Sequence, residues 1–130
     1  MIELIDGLPD GVVGFEAVGV VTADDYARVA QPAVERALES NDRIRLVHVL
    51  GDRLDSHTSG AVWKDATLGI SHVRSFDRIA VVTDLESIRV LVKTVGRSLP
   101  GEIRLFANAE RGDAVAWAAE GLKERAWDEG

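Results

Sequence analysis

The 130-residue chain contains no cysteine, one methionine, one tyrosine, three phenylalanines and three prolines. Without thiols there is no disulfide framework and no thiolate to act as nucleophile or metal ligand, so the fold must be held by burial. A chain of this length buries about two-thirds of the surface its unfolded form exposes, enough for one core and hardly for two. Positive charge is also scarce: 15 Lys+Arg against 22 Asp+Glu leave a formal net charge of −7. A surface of that sign repels phosphate backbones and anionic headgroups, which argues against nucleic acid or a membrane surface as partner. No apolar run reaches the 18 or so residues of a membrane span, and no basic-then-apolar leader is visible. The expectation is a soluble cytoplasmic protein with no integral membrane segment.

Linkers, low-complexity tracts and internal repeats are missing as well, so residues 1–127 are expected to form a single domain with a fraying tail at 128–130. What is present is a 46% hydrophobic fraction laid out in alternating periods. Met1–Leu8 alternates apolar with acidic residues and suits a half-buried strand. Leu8-Pro9-Asp10-Gly11 is turn chemistry, and Val12–Val21 reads as the return strand of a hairpin. Gly14 and Gly19 within it mark a bulge or a close backbone approach. Thr22-Ala23-Asp24-Asp25 starts a helix: the hydroxyl caps the amide three residues on, and the carboxylates sit at the positive end of the dipole. Tyr26, Val29, Ala30, Ala33 and Ala37 carry the helical stripe to Leu38, with Pro32 set to kink or split it.

Ile44–Leu50 is a short buried strand interrupted only by Arg45 and His48. Val62, Trp63, Ala66 and Ile70 recur at helical spacing within 61–72. Arg78–Thr83 is a β-branched strand, Ser87–Leu99 a clean helical stripe, and Glu102–Ala107 a last strand. A final helix begins at Asn108 or Asp113, with Val115, Ala118, Ala119 and Leu122 as its apolar face. The order β-β-α-β-α-β-α-β-α gives the α/β class: a mixed, mostly parallel sheet with an antiparallel edge supplied by the opening hairpin.

Groups able to do chemistry are few. His48, His57 and His72 are never at HxH or HExxH spacing, so no metal site is expected, and His48 reads as a hydrogen-bonded core or edge histidine. No glycine-rich phosphate loop occurs, and no cofactor is implied. Asp24 and Asp25 are explained by capping, while Glu35, Arg36 and Glu39 form a solvated helix face. Residues 52–59 hold Ser, His and carboxylates, but without a GxSxG elbow they do not assemble a nucleophile, base and orienter. A polar loop whose Ser59 or Thr58 caps the following helix is the plain account. The functional account is a phosphoacceptor hydroxyl at a helix N-terminus, where free amides and the dipole favour a phosphate. Trp63 and Trp117 fall in amphipathic helices and suit the core or the wall of an apolar cleft. Together with Trp127, Trp117 also offers a terminal surface for a second copy, a homodimer.

Five segments stand out, in order. They are Gly19-Val20-Val21-Thr22-Ala23-Asp24-Asp25-Tyr26 with Pro32 following, Trp63-Lys64-Asp65, and Phe76-Asp77-Arg78-Ile79-Ala80-Val81-Val82-Thr83-Asp84. Ile103-Arg104-Leu105-Phe106 and Ala114-Val115-Ala116-Trp117 complete the set, which resembles the SpoIIAA-like family of small bacterial proteins. The resemblance implies a fold like that of STAS and CRAL-TRIO domains: a mixed sheet of four or five strands with helices packed mainly on one face. It implies no enzyme activity.

From the STAS side it implies a regulatory, protein-interaction module. There a Ser or Thr at the start of the helix after the middle strand is phosphorylated by a partner kinase. Leu54-Asp55-Ser56-His57-Thr58-Ser59-Gly60 is similar to that Asp-Ser-Ser-Gly neighbourhood but inserts His57-Thr58. The candidate switch residues are Ser59, then Ser56, then Thr58, with Asp55 ahead of them. From the CRAL-TRIO side it implies a lipid or other small apolar ligand, held in a cleft near Trp63, Ile70, Leu91 and Val95. Because the core needs those same side chains, the expected cavity is small or absent.

Overall fold

The computed structural model describes residues 1–55, 75–97 and 101–120, apart from the side chain of Val95. The expected helix over 61–72, with Trp63 and Ile70, lies outside them, as do Leu122 and Trp127. Five strands form one sheet in the order β1-β2-β3-β4-β5: β1 (Ile2–Leu4), β2 (Val12–Ala17), β3 (Ile44–Leu50), β4 (Phe76–Thr83) and β5 (Glu102–Phe106). β1 runs antiparallel to β2, with Ile2 opposite Ala17, and every later pairing is parallel. The mixed, mostly parallel sheet with its antiparallel edge is the architecture the residue order implied.

The opening hairpin is shorter than its alternation suggested because its chemistry stops it early. Gly11 takes φ +89°, closing the turn with a 3.1 Å bond from the Val12 amide to the Pro9 carbonyl. Gly14 is a close approach: a Cβ there would lie 2.5 Å from Leu8 Cδ1 and 3.0 Å from Ile5 Cβ. Past Ala17 the chain leaves the ladder, and Gly19 turns it at φ +63°.

Thr22 caps the first helix as a capping box, accepting from the Asp25 amide while the Asp25 carboxylate accepts from the Thr22 amide. The helix runs as α1 (Ala23–Asp25), a π-turn (Tyr26–Ala30) and α2 (Gln31–Leu38). Pro32 is the reason for the wide turn. It has no N–H to offer the preceding turn, and the Gln31 amide reaches back five residues to the Tyr26 carbonyl. Proline thus widens the helix and leaves it continuous. α3 (Glu86–Gly96) connects β4 to β5, and a 3₁₀ turn (Asn108–Glu110) leads into α4 (Arg111–Ala119).

Right-handed crossovers between neighbouring parallel strands that advance in one direction place their helices on one face. α2 and α3 accordingly share a face, where Val34, Ile88 and Val92 pack with Val13, Phe15, Leu46, Ile79 and Val81. α4 takes the other, where Ala114 and Ala118 pack with Val12, Val47, Val49, Ala80 and Val82. β2 is buried on both faces along its whole length, which is why its sequence is Val-rich and alternates poorly.

Candidate functional site

The carboxyl ends of the parallel strands are where an open α/β sheet gathers its loops. Here β3 runs out at Leu50 into the segment 51–55, which is pinned back against the end of β2. The Gly19 amide donates to the Arg53 carbonyl at 2.7 Å, and the Asp55 amide donates to the Gly19 carbonyl at 2.9 Å. Gly19 and Leu54 form a parallel bridge beyond the named strands. The left-handed Gly19 lets both its amide and its carbonyl meet this segment, so Asp55 is held at the carboxyl end of the sheet, beyond β2 and β3. Ser56, Thr58 and Ser59, which follow it, lie outside the described residues.

Polar side chains brace the same end. Glu16, buried at the end of β2, lies 3.3 Å from Arg111 and 3.6 Å from Arg53, and Arg53 also reaches Glu3 at 3.1 Å. Asn108 donates its backbone amide to Asp84 at 2.9 Å and its side-chain amide to Asp52 at 3.3 Å. Arg89 ties the ends of β4 and β5 together, donating to the carbonyls of Thr83 at 2.8 Å and Phe106 at 3.4 Å. These bonds join the ends of β2, β3, β4 and β5 into one rigid rim. Among the described residues, no three His, Asp or Glu side chains gather as a metal would require.

Beneath the rim, on the α2 face, Tyr26 Oη and His48 Nε2 are 2.7 Å apart, and Phe15 meets the imidazole edge-on with centroids 6.0 Å apart. Burial pushes the His48 pKa down to about 4, against a backbone hydrogen bond with Val49 that pulls it up. Burial, with the nearby Asp25 charge, raises that of Tyr26. A neutral imidazole against a protonated phenol is a packed hydrogen bond. A phenol whose pKa is raised is a poor nucleophile, and an imidazole lowered this far is a weak base. His48 is thus the hydrogen-bonded core histidine expected of its strand position, and the pair positions α1 and the π-turn on β3.

Two further clusters escaped the sequence. Arg45, which looked like an interruption of β3, is 7% exposed and donates to the carbonyls of Ala118 and Glu120 at the end of α4. Arg78 donates to the Trp117 carbonyl at 2.8 Å and lies 5.0 Å from the centroid of the Trp117 ring. Two strand arginines therefore cap the helix's orphan carbonyls and meet the negative end of its dipole. Trp117 is half-buried by this contact and by Phe106. The second is a groove of ≈ 360 Å³ between α3 and β5, lined by Val92, Lys93, Gly96, Arg97, Ile103 and Leu105. Of the expected cleft residues, Leu91 is half-buried on α3, and the Val95 side chain falls outside the description.

The comparisons agree with this architecture. The model of the SpoIIAA-like family matches residues 12–119, and the chain belongs to that family. An uncharacterised protein of the DUF3478 family from Shewanella loihica PV-4, described as having a SpoIIAA-like fold, is 27% identical. It aligns over 91% of this chain and 92% of its own, with a TM-score of 0.66. No curated protein matches the chain.

Proposed function

We propose that the protein is a non-enzymatic, STAS-like regulatory module that acts by binding another protein through the segment beginning at Asp55. The observation that carries this reading is the fastening of Asp55 to Gly19 at the carboxyl end of the sheet. The segment that carries the three hydroxyls thus starts from a fixed point at the carboxyl end of the sheet, and a phosphate added to one of them changes the charge next to that point, which is what a two-state recognition signal needs. Membership of the SpoIIAA-like family supports the same reading. Ser59 is the first phosphoacceptor, ahead of Ser56 and Thr58. Phosphosite mapping by mass spectrometry on the protein recovered from its own cells tests the assignment. Phosphate on one of these three residues is expected. Proteins co-recovered with wild type and with Ser59→Asp should also differ. An unmodified segment together with identical co-recovered sets refutes the reading.

A second reading, a carrier of a small apolar ligand, draws support from the α3–β5 groove, whose floor of Val92, Ile103 and Leu105 is apolar. Native mass spectrometry of the purified protein decides it: added mass that persists through desalting and is lost on denaturation supports a carrier, and the bare chain mass counts against one.

A further inference from the structure

β5 ends the sheet, and among the described residues nothing pairs with its outer edge. Such an edge carries open amides and carbonyls and templates another strand unless it is blunted. The opposite edge is blunted: β1 is only three residues long, and the amino terminus beside it is tied to the Val18 and Val20 carbonyls. β5 has five residues and alternates two kinds of side chain. Ile103 and Leu105 point to the α3 face and are only half-buried, forming one wall of the groove described above. Glu102 and Arg104 point to the α4 face, are exposed, and have opposite charge two residues apart. Neither takes part in an ion pair within the described residues. Arg104 is held on that face by aromatic contact instead, 5.7 Å from the centroid of Phe106 and 5.9 Å from that of Trp117.

We infer that β5 is a self-association edge, at which a second copy of this chain pairs antiparallel with Ile103 opposite Ile103, so that each Glu102 faces the partner's Arg104. The occupant is fixed by charge. In an antiparallel pair related by a two-fold axis, residues whose numbers sum to a constant face each other. With the axis at Ile103 that constant places 102 against 104 twice, giving two cross-strand ion pairs from one strand. The same axis brings the half-exposed Ile103 side chains together and joins the two grooves into one covered apolar seam. Lys93 and Arg97 stand exposed at the groove's lip. Their long stems let the charged heads turn to water while the methylenes cover the seam. The inference is independent of the segment at Asp55.

Charge exchange at these two positions, followed by sedimentation velocity on the full chain, tests the edge and its register. Wild type should associate reversibly as a dimer between about 1 µM and about 1 mM. Arg104→Glu leaves only carboxylates at positions 102 and 104 of the paired strands and Glu102→Arg only guanidinium groups, so each alone should raise the dimer dissociation constant at least about tenfold. The double variant Glu102→Arg/Arg104→Glu should dimerise as wild type does. An equimolar mixture of the two single variants should form a heterodimer, because every Arg then faces a Glu. Far-ultraviolet circular dichroism and thermal melting establish that each variant is folded. Both positions are exposed, and wild type with the double variant decides the matter if a single variant fails to fold. A wild type that stays monomeric overturns the inference. So does a dimer indifferent to both single exchanges, or single variants that ignore each other when mixed, as they would if the charges only guarded the edge.

Discussion

Acidification should weaken this protein through His48, and the size of the effect follows from where the ring sits. An unfolded histidine takes up its proton near pH 6.5, whereas burial on the α2 face holds that of His48 down to about 4. Between those values the unfolded chain binds a proton that the folded one refuses, so stability is full above pH 6.5 and is lost as pH falls toward 4. The interval is worth about 3 kcal/mol at most. That is a large part of the roughly 5–15 kcal/mol of a typical domain. The residue as a whole is partly exposed, but its Nδ1 is out of water and its Nε2 sits 2.7 Å from a phenol, so little screening is available at the nitrogens. Carboxylates of the unfolded chain begin to take up protons at the bottom of this interval, Asp25 among them, whose folded carboxyl the Thr22 amide holds below the usual range. A comparison with His48→Gln cancels them, since glutamine keeps a partner for Tyr26 and does not titrate. Urea unfolding of both proteins from pH 7 to pH 4 should show wild type losing about 3 kcal/mol relative to the variant. With ordinary urea dependence that is a relative midpoint shift of about 1–3 M. A difference that stays flat across this range would refute the burial argument, as would a histidine resonance that titrates near 6.5 in the folded protein.

Other perturbations follow from single contacts. Arg45→Met keeps the bulk but removes the donors to the Ala118 and Glu120 carbonyls, leaving them buried without a cation. A loss of about 2–3 kcal/mol is expected, with faster hydrogen exchange in the last turn of α4. Gly101→Ala drives a Cβ into the Phe76 carbonyl oxygen, an atom of the β4 backbone that cannot step aside, and should cost about 2–3 kcal/mol in urea unfolding. Gly19→Ala meets no atom within 4 Å, so only its left-handed backbone opposes it, and about 1 kcal/mol is expected in the same assay. Thr22→Ala removes the hydroxyl of the capping box and should lower the melting midpoint by the equivalent of about 1 kcal/mol.

The parts of this fold that were legible in the sequence are those decided within one element. Ile44–Leu50 was read as a strand from its apolar run, Thr22 as a cap from the carboxylates after it, and Gly14 as a close approach or bulge from its place in a Val-rich strand. Gly19, given the same reading, instead turns the chain in the left-handed region beyond the end of that strand, with open space where a Cβ would be. Pro32 showed that the first helix must be disturbed. Whether it would kink or split the helix depended on what the displaced amide found, and the Tyr26 carbonyl five residues back is a partner that only the finished turn provides. Contacts between elements were out of reach for a related reason. Tyr26 and His48 are 22 residues apart, Arg78 and Trp117 are 39, and Arg45 and Ala118 are 73. Each pair exists because two independently readable elements dock at one angle.

Arg45 shows what that implies for judging polar residues in apolar strands. Read along β3 it is a flaw in a hydrophobic run, and an isolated buried guanidinium would indeed cost several kcal/mol. Part of its compensation is the Asp77 carboxylate, 3.7 Å away; the rest comes from the end of a helix formed by the last described segment of the chain, whose unsatisfied carbonyls need a donor as much as the guanidinium needs acceptors. The helix carbonyls and the guanidinium satisfy each other only when α4 lies across β3 and β4. The arginines at 45 and 78 therefore select the face and the endpoint of α4, where apolar burial by the small Ala114 and Ala118 alone would let the helix slide. A polar interruption placed this way specifies register more sharply than the valines around it. The same logic makes Glu102 and Arg104 informative on β5: they are charges on an edge strand that find no counterpart within the described residues, and the proposed pairing about Ile103 would match them with the same strand of a second copy.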